Sequence, residues 1–400
     1  MAANKFHLNI ARKFKQNIFF TSRSTVENEL RYYMDKFKDK IVLCNCNDDE
    51  NSEFFRYFQR LFEVLGLKKL IGTHFESEKG KPSYKLELYK DTNNDGKVTW
   101  KDKVIKTPIY GDEKYTAGDF RSKDCIEILK EADIVVTNPP FAFFREFLAQ
   151  LVKYNKKFLI IGKITFFGYK NVFPLFKDNK IWPGRSLCID TWFRVPCNYD
   201  LLSFANSKID ENGNKILQIN GIRWFTNLKT GFRQPPLQLV GNYYSPEKYP
   251  KYDNYDAINV DKVANIPCDY PGVMGVPLTF IDKYCPEQFE IVGITSGRKE
   301  FSKESWPTLR YINPIQHNVD GTLKNGSKVN TSPTLITKDT SHIYYTADNV
   351  KCKLKLLYCR ILVKNKHPEK SEYRGKNIKK HVLNKMLNTV IAFKVLQNAV

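Results

Sequence analysis

The chain has 400 residues, enough for one large core or two domains, and two is the expectation. Its 42% hydrophobic content, rich in Phe and Tyr, calls for a packed globular protein, and no apolar run approaches the roughly 20 residues of a membrane span. With 64 Lys/Arg against 43 Asp/Glu the net charge is +21, which points to a polyanionic partner and says nothing about fold.

Residues 1–16 lack the apolar stretch of a signal peptide, so an intracellular, cytoplasmic protein is expected. Nine cysteines without a CxxC pair, and only six His, read as reduced thiols, and no metal site is assigned.

Ser24-Thr25-Val26-Glu27 reads as a capping box opening a helix over 24–36, with Val26, Leu30, Tyr33 and Phe37 on one face. Residues 40–44 predict a short strand, and 45–52 a polar loop. Phe54, Phe55, Phe58, Leu61, Phe62 and Leu65 then recur at helical spacing until Gly66. Residues 69–73 predict the next strand. Residues 79–110 predict a hairpin, with Tyr84, Leu86 and Leu88 alternating before its turn and Val98, Trp100 and Val104 after it. Within it, 91–102 fits an EF-hand loop at positions 1, 3, 5, 6, 8 and 12. Asp102 at the last position, strand-like flanks and Asn94-Asp95-Gly96 favour an ordinary turn instead.

A turn at 118–121, a helix over 124–131, a strand over 134–136, a helix over 143–154 and a strand over 157–162 follow. Strand alternating with helix in this way means an α/β fold with a mostly parallel, Rossmann-like sheet. Such sheets bind ligands at the carboxyl ends of their strands, where loops 45–52, 73–78, 118–122 and 138–142 would open together. Residues 189–195 and 215–228 suit an antiparallel pair closing the sheet, with Asn212-Gly213 as a turn. The βα rhythm then stops. A catalytic domain over 1–230 and a mixed α/β target-recognition domain over 231–400 are expected. Residues 351–400 hold thirteen Lys/Arg and two Glu, about half of the net charge, and read as phosphate contacts or as a solubilising tail.

The segment that carries chemistry is Asn138-Pro139-Pro140-Phe141, directly after the apolar run 133–137. It offers an amide side chain, a fixed backbone carbonyl and a flat ring. Those are the parts needed to hold the exocyclic amine of a nucleobase beside an electrophile. An acidic first loop (44–49) precedes Gly118-Asp119-Phe120, which precedes this tetrapeptide; S-adenosylmethionine-dependent amino-methyltransferases of nucleic acids share that layout.

The chain resembles the EcoRI-type DNA adenine-N6 methyltransferase family, with its gamma-type motif order. The resemblance is carried by Glu27-Asn28-Glu29-Leu30, Cys44-Asn45-Cys46, residues 65–71, Gly118-Asp119-Phe120-Arg121-Ser122, residues 132–141 with Phe144-Arg145-Glu146, residues 249–260, Gly272-Val273-Met274-Gly275-Val276-Pro277 and residues 360–366. It covers nearly the whole chain except roughly 296–350 and 367–400, which look like additions.

The resemblance implies methyl transfer from S-adenosylmethionine to adenine N6 in double-stranded DNA. Asn138 and the Pro139 carbonyl would accept hydrogen bonds from the amine, Pro140 would stiffen the loop, and Phe141 would stack on the flipped base. Phe166 or Phe167 would cover its other face, or belong to the core. On the cofactor side, Asp119 and Phe120 resemble the pair that contacts the cofactor's adenine. Phe20 and Thr21 resemble an aromatic-Thr motif near its carboxylate, or form a hydrophobic staple. Glu76, with Glu78 as a rival, would accept from the ribose hydroxyls, and Asn138 borders both sites. Cys44-Asn45-Cys46 and Asp48 form the first loop without the usual G-x-G; the family carries an acidic residue where Asn47 stands and a proline where Asp49 stands. Cytosine N4 or an RNA base as acceptor, and a DNA-binding protein without catalysis, also fit these residues. The implied setting is a monomer in a bacterial or phage-infected cell, either separate from a cognate restriction endonuclease or an orphan.

Overall fold

The computed structural model describes residues 20–46, 49–186, 192–195, 206–211, 213–230 and 234–370. Phe19, Asn47, Asp48, residues 187–191, Asn212 and the basic residues beyond Lys370 lie outside that set. The chain divides into two compact units, Met1–Phe232 and Arg233–Val400.

Four parallel strands form the centre of the first unit: β1 (Ile41–Cys44), β2 (Lys69–Thr73), β5 (Ile134–Thr137) and β6 (Lys157–Lys163). Each is almost wholly apolar because helices cover both faces of the sheet. Antiparallel strands complete both edges: β3 (Ser83–Leu88) and β4 (Ile105–Ile109) beside β2, and β11 (Ile222–Thr226) and β7 (Trp182–Pro183) beside β6. The order is β4-β3-β2-β1-β5-β6-β11-β7. Chain direction through the sheet therefore reverses between β1 and β5, the position where α/β folds open a ligand crevice.

Three helices begin on serines whose hydroxyls accept a backbone N–H, as an N-cap must. Ser22 caps α1 (Arg23–Leu30), Ser52 caps α2 (Glu53–Arg60) and Ser122 caps α4 (Lys123–Glu131), with contacts of 3.3, 3.1 and 3.3 Å. The first helix thus starts from Ser22 instead of the expected Ser24 box, and Tyr33 and Phe37 stay buried in the turn that follows it. The short α3 (Phe62–Leu65) ends at Gly66, whose φ of +61° suits glycine. On one sheet face Val42, Cys44, Ile134, Val136, Leu159 and Ile161 pack with Val26, Leu30, Phe54 and Phe58 of α1 and α2. On the other, α5 (Phe144–Lys153) brings Phe144 within 4.9 Å of the Phe225 ring.

Two local expectations change. The second hairpin strand is β4, so Val98, Trp100 and Val104 belong to the loop before it, and Trp100 is exposed. That 91–102 loop is closed by its own carboxylates: Asp102 accepts the N–H groups of Thr92, Asn93 and Thr99, while Asp91 accepts those of Asn94 and Gly96. Strands flank it, where an EF-hand needs helices. Residues 215–228 are two strands. β11 closes the main sheet, whereas β10 (Lys215–Gln218) joins β8 (Trp192–Arg194) and β9 (Ser207–Ile209) in a small antiparallel sheet.

In the second unit, β12 (Ile258–Asn259), β13 (Met274–Pro277), β14 (Phe289–Ile294) and β20 (Arg360–Asn365) form a sheet ordered β12-β13-β20-β14. β15 (Ile315–His317), β16 (Leu323–Asn325), β17 (Thr334–Thr337), β18 (Tyr344–Ala347) and β19 (Val350–Leu356) form an antiparallel one ordered β16-β15-β18-β19-β17. Among its described residues, the helical share of this unit consists of 3-10 turns. Buried Asn254 anchors the irregular 249–260 segment. Its amide donates to the Val329 and Ser332 carbonyls and accepts from the Thr334 N–H and hydroxyl. Gly275 is required by close approach, since a Cβ there would sit 2.3 Å from the Tyr252 hydroxyl.

Glu29 is fully buried in the first unit and accepts from the Arg185 and Ser186 N–H groups, the Ser186 hydroxyl and the Tyr33 hydroxyl, at 2.5–2.8 Å. It ties α1 to the segment after β7. Glu29→Ala strands those donors and is expected to cost about 3–5 kcal/mol, read as a lower urea midpoint at unchanged slope.

Candidate active site

β5 runs apolar and buried to Thr137, and two prolines then remove the N–H groups that would continue the ladder. The chain turns through a 3-10 segment, Phe141–Phe143, with the Phe143 N–H donating to the Pro140 carbonyl at 2.9 Å, and enters α5. Two contacts fix this corner to its neighbours. The Thr137 hydroxyl donates to the Asn45 carbonyl at 2.5 Å, joining the carboxyl ends of β5 and β1. The Asn138 amide nitrogen donates to the Thr21 hydroxyl at 3.3 Å, which turns its carbonyl oxygen the other way. Phe20 is held alongside: its N–H donates to the Arg194 carbonyl at 3.0 Å, and the Arg194 guanidinium covers its ring.

The first loop turns without glycine because Cys46 itself takes a left-handed conformation, φ +65°. Asn45 is buried there, and the expected contact at Asp48 lies outside the described residues. At the end of β2 the His74 ring bonds Asp49 at 3.0 Å and stacks on Tyr84 at 4.8 Å. Burial pushes the Asp49 carboxyl up, but His74, the Asn51 N–H and the Lys106 charge outweigh it, so the net direction is down.

The next loop is clamped to that strand end. The Glu76 N–H donates to the Ala117 carbonyl at 2.9 Å, and a Cβ on Gly118 would lie 1.9 Å from the His74 carbonyl oxygen. Glycine alone fits, and φ is +79°. This closure brings Glu76 and Asp119 to neighbouring positions. The Glu76 carboxyl is held below its ordinary value, first by the Glu78 N–H. Arg121 grips both oxygens of Asp119 at 3.0 and 2.8 Å and reaches Glu146 at 3.1 Å. Phe120 is buried, edge-on to Phe147 at 5.1 Å.

Around Phe141 lie more aromatics. Phe166 meets it edge-on at 5.8 Å and stacks on Tyr169 at 4.9 Å, and the Arg145 guanidinium lies 5.3 Å from the Tyr169 ring. Phe167 points elsewhere, stacked on Phe225 at 4.0 Å in the core. Of the two phenylalanines left open by the sequence, Phe166 is therefore the one at the site.

These contacts unite Thr21, Asn45, Thr137 and Asn138 in one group, and Glu76, Gly118 and Asp119 in a second. Both stand at the carboxyl edge of adjacent strands. A cofactor bearing an amine, ribose hydroxyls and a carboxylate would meet ionised acceptors, an amide and a hydroxyl there, so the residues fit a nucleoside methyl donor. Arg121, His74 and Lys163, which the structure brings beside these residues, are not singled out by motif or spacing. Lys163 carries one signal, as the charge at the carboxyl end of β6, whose other charge, Lys157, stands at the opposite end.

Residues 7–366 match the model of the family described as adenine-specific methyltransferase EcoRI. The chain belongs to that family. Type II methyltransferase M.EcoRI of Escherichia coli is 46% identical over 309 residues, 75% of this chain and 92% of the relative. Type II methyltransferases M.MgeORF184P of Mycoplasma genitalium and M.MpnI of Mycoplasma pneumoniae are 43% and 39% identical over 288 residues, each covering 72% of this chain and 85% of the relative. As a member of the EcoRI family the chain is an adenine-specific DNA methyltransferase, which decides between adenine and the other acceptors that the motifs alone admitted. Among the described residues no helix is long and apolar enough to cross a membrane.

Gly118→Ala forces the 117–119 loop away from β2. We expect at least a tenfold loss of affinity for the methyl donor by calorimetry, with the far-ultraviolet circular dichroism unchanged.

Proposed function

We propose that the first unit transfers the methyl group of S-adenosylmethionine to N6 of an adenine flipped out of double-stranded DNA, and that Asn138-Pro139-Pro140-Phe141 performs the transfer. What carries this reading is the joint at the switch point of the sheet, where Asn138 is held by Thr21 one residue beyond the Thr137–Asn45 bond. When bound, S-adenosylmethionine supplies a methyl group made electrophilic by its sulfonium. Phe20 and Thr21, Cys44-Asn45-Cys46 with Asp48, and Glu76 with Asp119 and Phe120 would hold it, with Asn138 on the border. A carboxylate has about four lone-pair positions, so Asp119 remains an acceptor while Arg121 fixes its orientation.

The chain's own contribution is positional and electrostatic. The Asn138 side-chain oxygen and the Pro139 carbonyl accept from the N6 amine and aim its lone pair, with both acceptors fixed before the base arrives. Phe141 stacks on the base, which must leave the duplex to be reached at all. Phe166, edge-on to Phe141, walls the pocket against water. No general base is required, because the nitrogen loses its proton readily once it carries the new carbon.

In the second unit, β19 alternates cleanly. Leu354 is buried and Cys352 and Leu356 pack with it, whereas Lys351, Lys353 and Lys355 are exposed on the opposite face. Residues two apart on a strand repeat at about 6.7 Å, a spacing suited to successive phosphates of one DNA strand. His317 stacks on Tyr344 at 4.5 Å on that face, with the Lys353 ammonium 5.1 Å from the Tyr344 ring. We assign this face to the DNA backbone. The protein acts as a monomer in the cytoplasm, separately from any cognate endonuclease.

Nucleoside mass analysis after incubation with DNA and labelled S-adenosylmethionine should show N6-methyladenine; N4-methylcytosine as sole product would end this reading. Asn138→Ala should lower kcat at least ~100-fold while DNA affinity stays within about threefold. The triple change of Lys351, Lys353 and Lys355 to Gln should reduce the slope of log K against log salt by up to about 3, an effect uniform across DNA sequences.

A further inference from the structure

We propose that Lys163 is a substrate-contacting residue, its ammonium donating a hydrogen bond to a lone-pair acceptor of the flipped nucleotide. This rests on the flipping mechanism above and adds a contact outside the Asn138–Phe141 segment.

Strand parity puts Lys163 on the correct side. Val136 pairs in parallel register with Leu159, and both face the cluster that also holds Ile134 and Ile161. Side chains two apart on a strand share a face, so Asn138 continues the side of Val136 and Lys163 continues the side of Ile161. Continuing that register sets Asn138 level with Ile161, which leaves Lys163 one step, about 6.6 Å, further toward the loops. Its ammonium lies 6.0 Å from the centre of the Phe141 ring. The same side chain therefore reaches the aromatic on which the base would stack, from the strand next to the one bearing Asn138.

The surroundings of this ammonium are unusual for the sheet. Lys69, also partly buried, bonds Glu87 and Glu131; Lys85 bonds Glu87; Lys156 donates to the Lys130 and Ala132 carbonyls. Among the described residues, no carboxylate lies within ion-pair distance of Lys163, and burial is the one influence that lowers its basicity. A half-buried ammonium with three donors and no protein acceptor depends on solvent for its partners. A ligand that brings the acceptor replaces that solvent, and the extruded nucleotide does so at the required place. Its acceptors are the ring nitrogens of the base and the oxygens of the adjoining phosphate.

The test uses the full-length enzyme and a duplex containing its methylation site, first mapped by sequencing methylated adenines. Lys163→Met should lower kcat/KM for DNA about 10- to 100-fold and weaken the fluorescence rise of 2-aminopurine at the target position. S-adenosylmethionine affinity and the unfolding midpoint should hold or improve, and Lys163→Arg should recover part of the activity. Deaza-adenines at the target and a methylphosphonate beside it identify the acceptor. The substitution that harms wild type but adds nothing to Lys163→Met marks the atom contacted. Unchanged kcat/KM in Lys163→Met, or losses that add fully for every modified substrate, would overturn the proposal while leaving the Asn138 mechanism intact. Absence of N6-methyladenine from the wild-type reaction would remove both.

Discussion

The first unit is organised around the junction of β1 and β5, where the Thr137 hydroxyl bonds the Asn45 carbonyl and Asn138 bonds Thr21. These strands are adjacent in space yet 92 residues apart in the chain. On the proposed reading each ends in a loop of a different task, and one short bond sets the distance between the two. A buried hydrogen bond of this kind is costly to leave unmade, so the two loops cannot drift independently. Transfer between two bound groups needs just this constancy, since a displacement of about 1 Å is enough to slow such a reaction severely.

The loop at β2 obeys the same logic by a different device. Gly118 permits its backbone to lie on the His74 carbonyl, and Arg121 then locks Asp119 by both oxygens. Backbone closeness and a bidentate ion pair fix this second loop in place. Cys46 in a left-handed conformation performs the turn that glycine performs elsewhere, and its strain is held by the packed strands on either side.

Several segments through which the chain resembles its family serve architecture. Glu29 in the first such segment is a buried acceptor for four donors, Asn254 stitches a loop to a sheet, and Gly275 makes room for Tyr252. Buried polar groups of this type tolerate little change because each partner would be left unsatisfied. On the proposed reading, Asn138–Phe141 and the clamp at Asp119 carry chemistry, and the others hold the surfaces on which that chemistry rests.

Local pattern was enough to read the parallel strands, the helices between them and the loop that begins at Asn138, because apolar runs, helical spacing and prolines act within a few residues. Hydrophobic spacing misread Val98 and Trp100 as strand, since alternation over so few positions also occurs in a loop. It merged β10 with β11, because both are apolar and only pairing partners separate them. Which of Phe166 and Phe167 faces Phe141, that Asp119 is gripped by Arg121, and that Lys163 stands on the face of Asn138 were decided by tertiary structure alone. Periodicity assigns a residue to a face of its own element, but contact between faces depends on strand order, and strand order is set by the packing of the whole sheet.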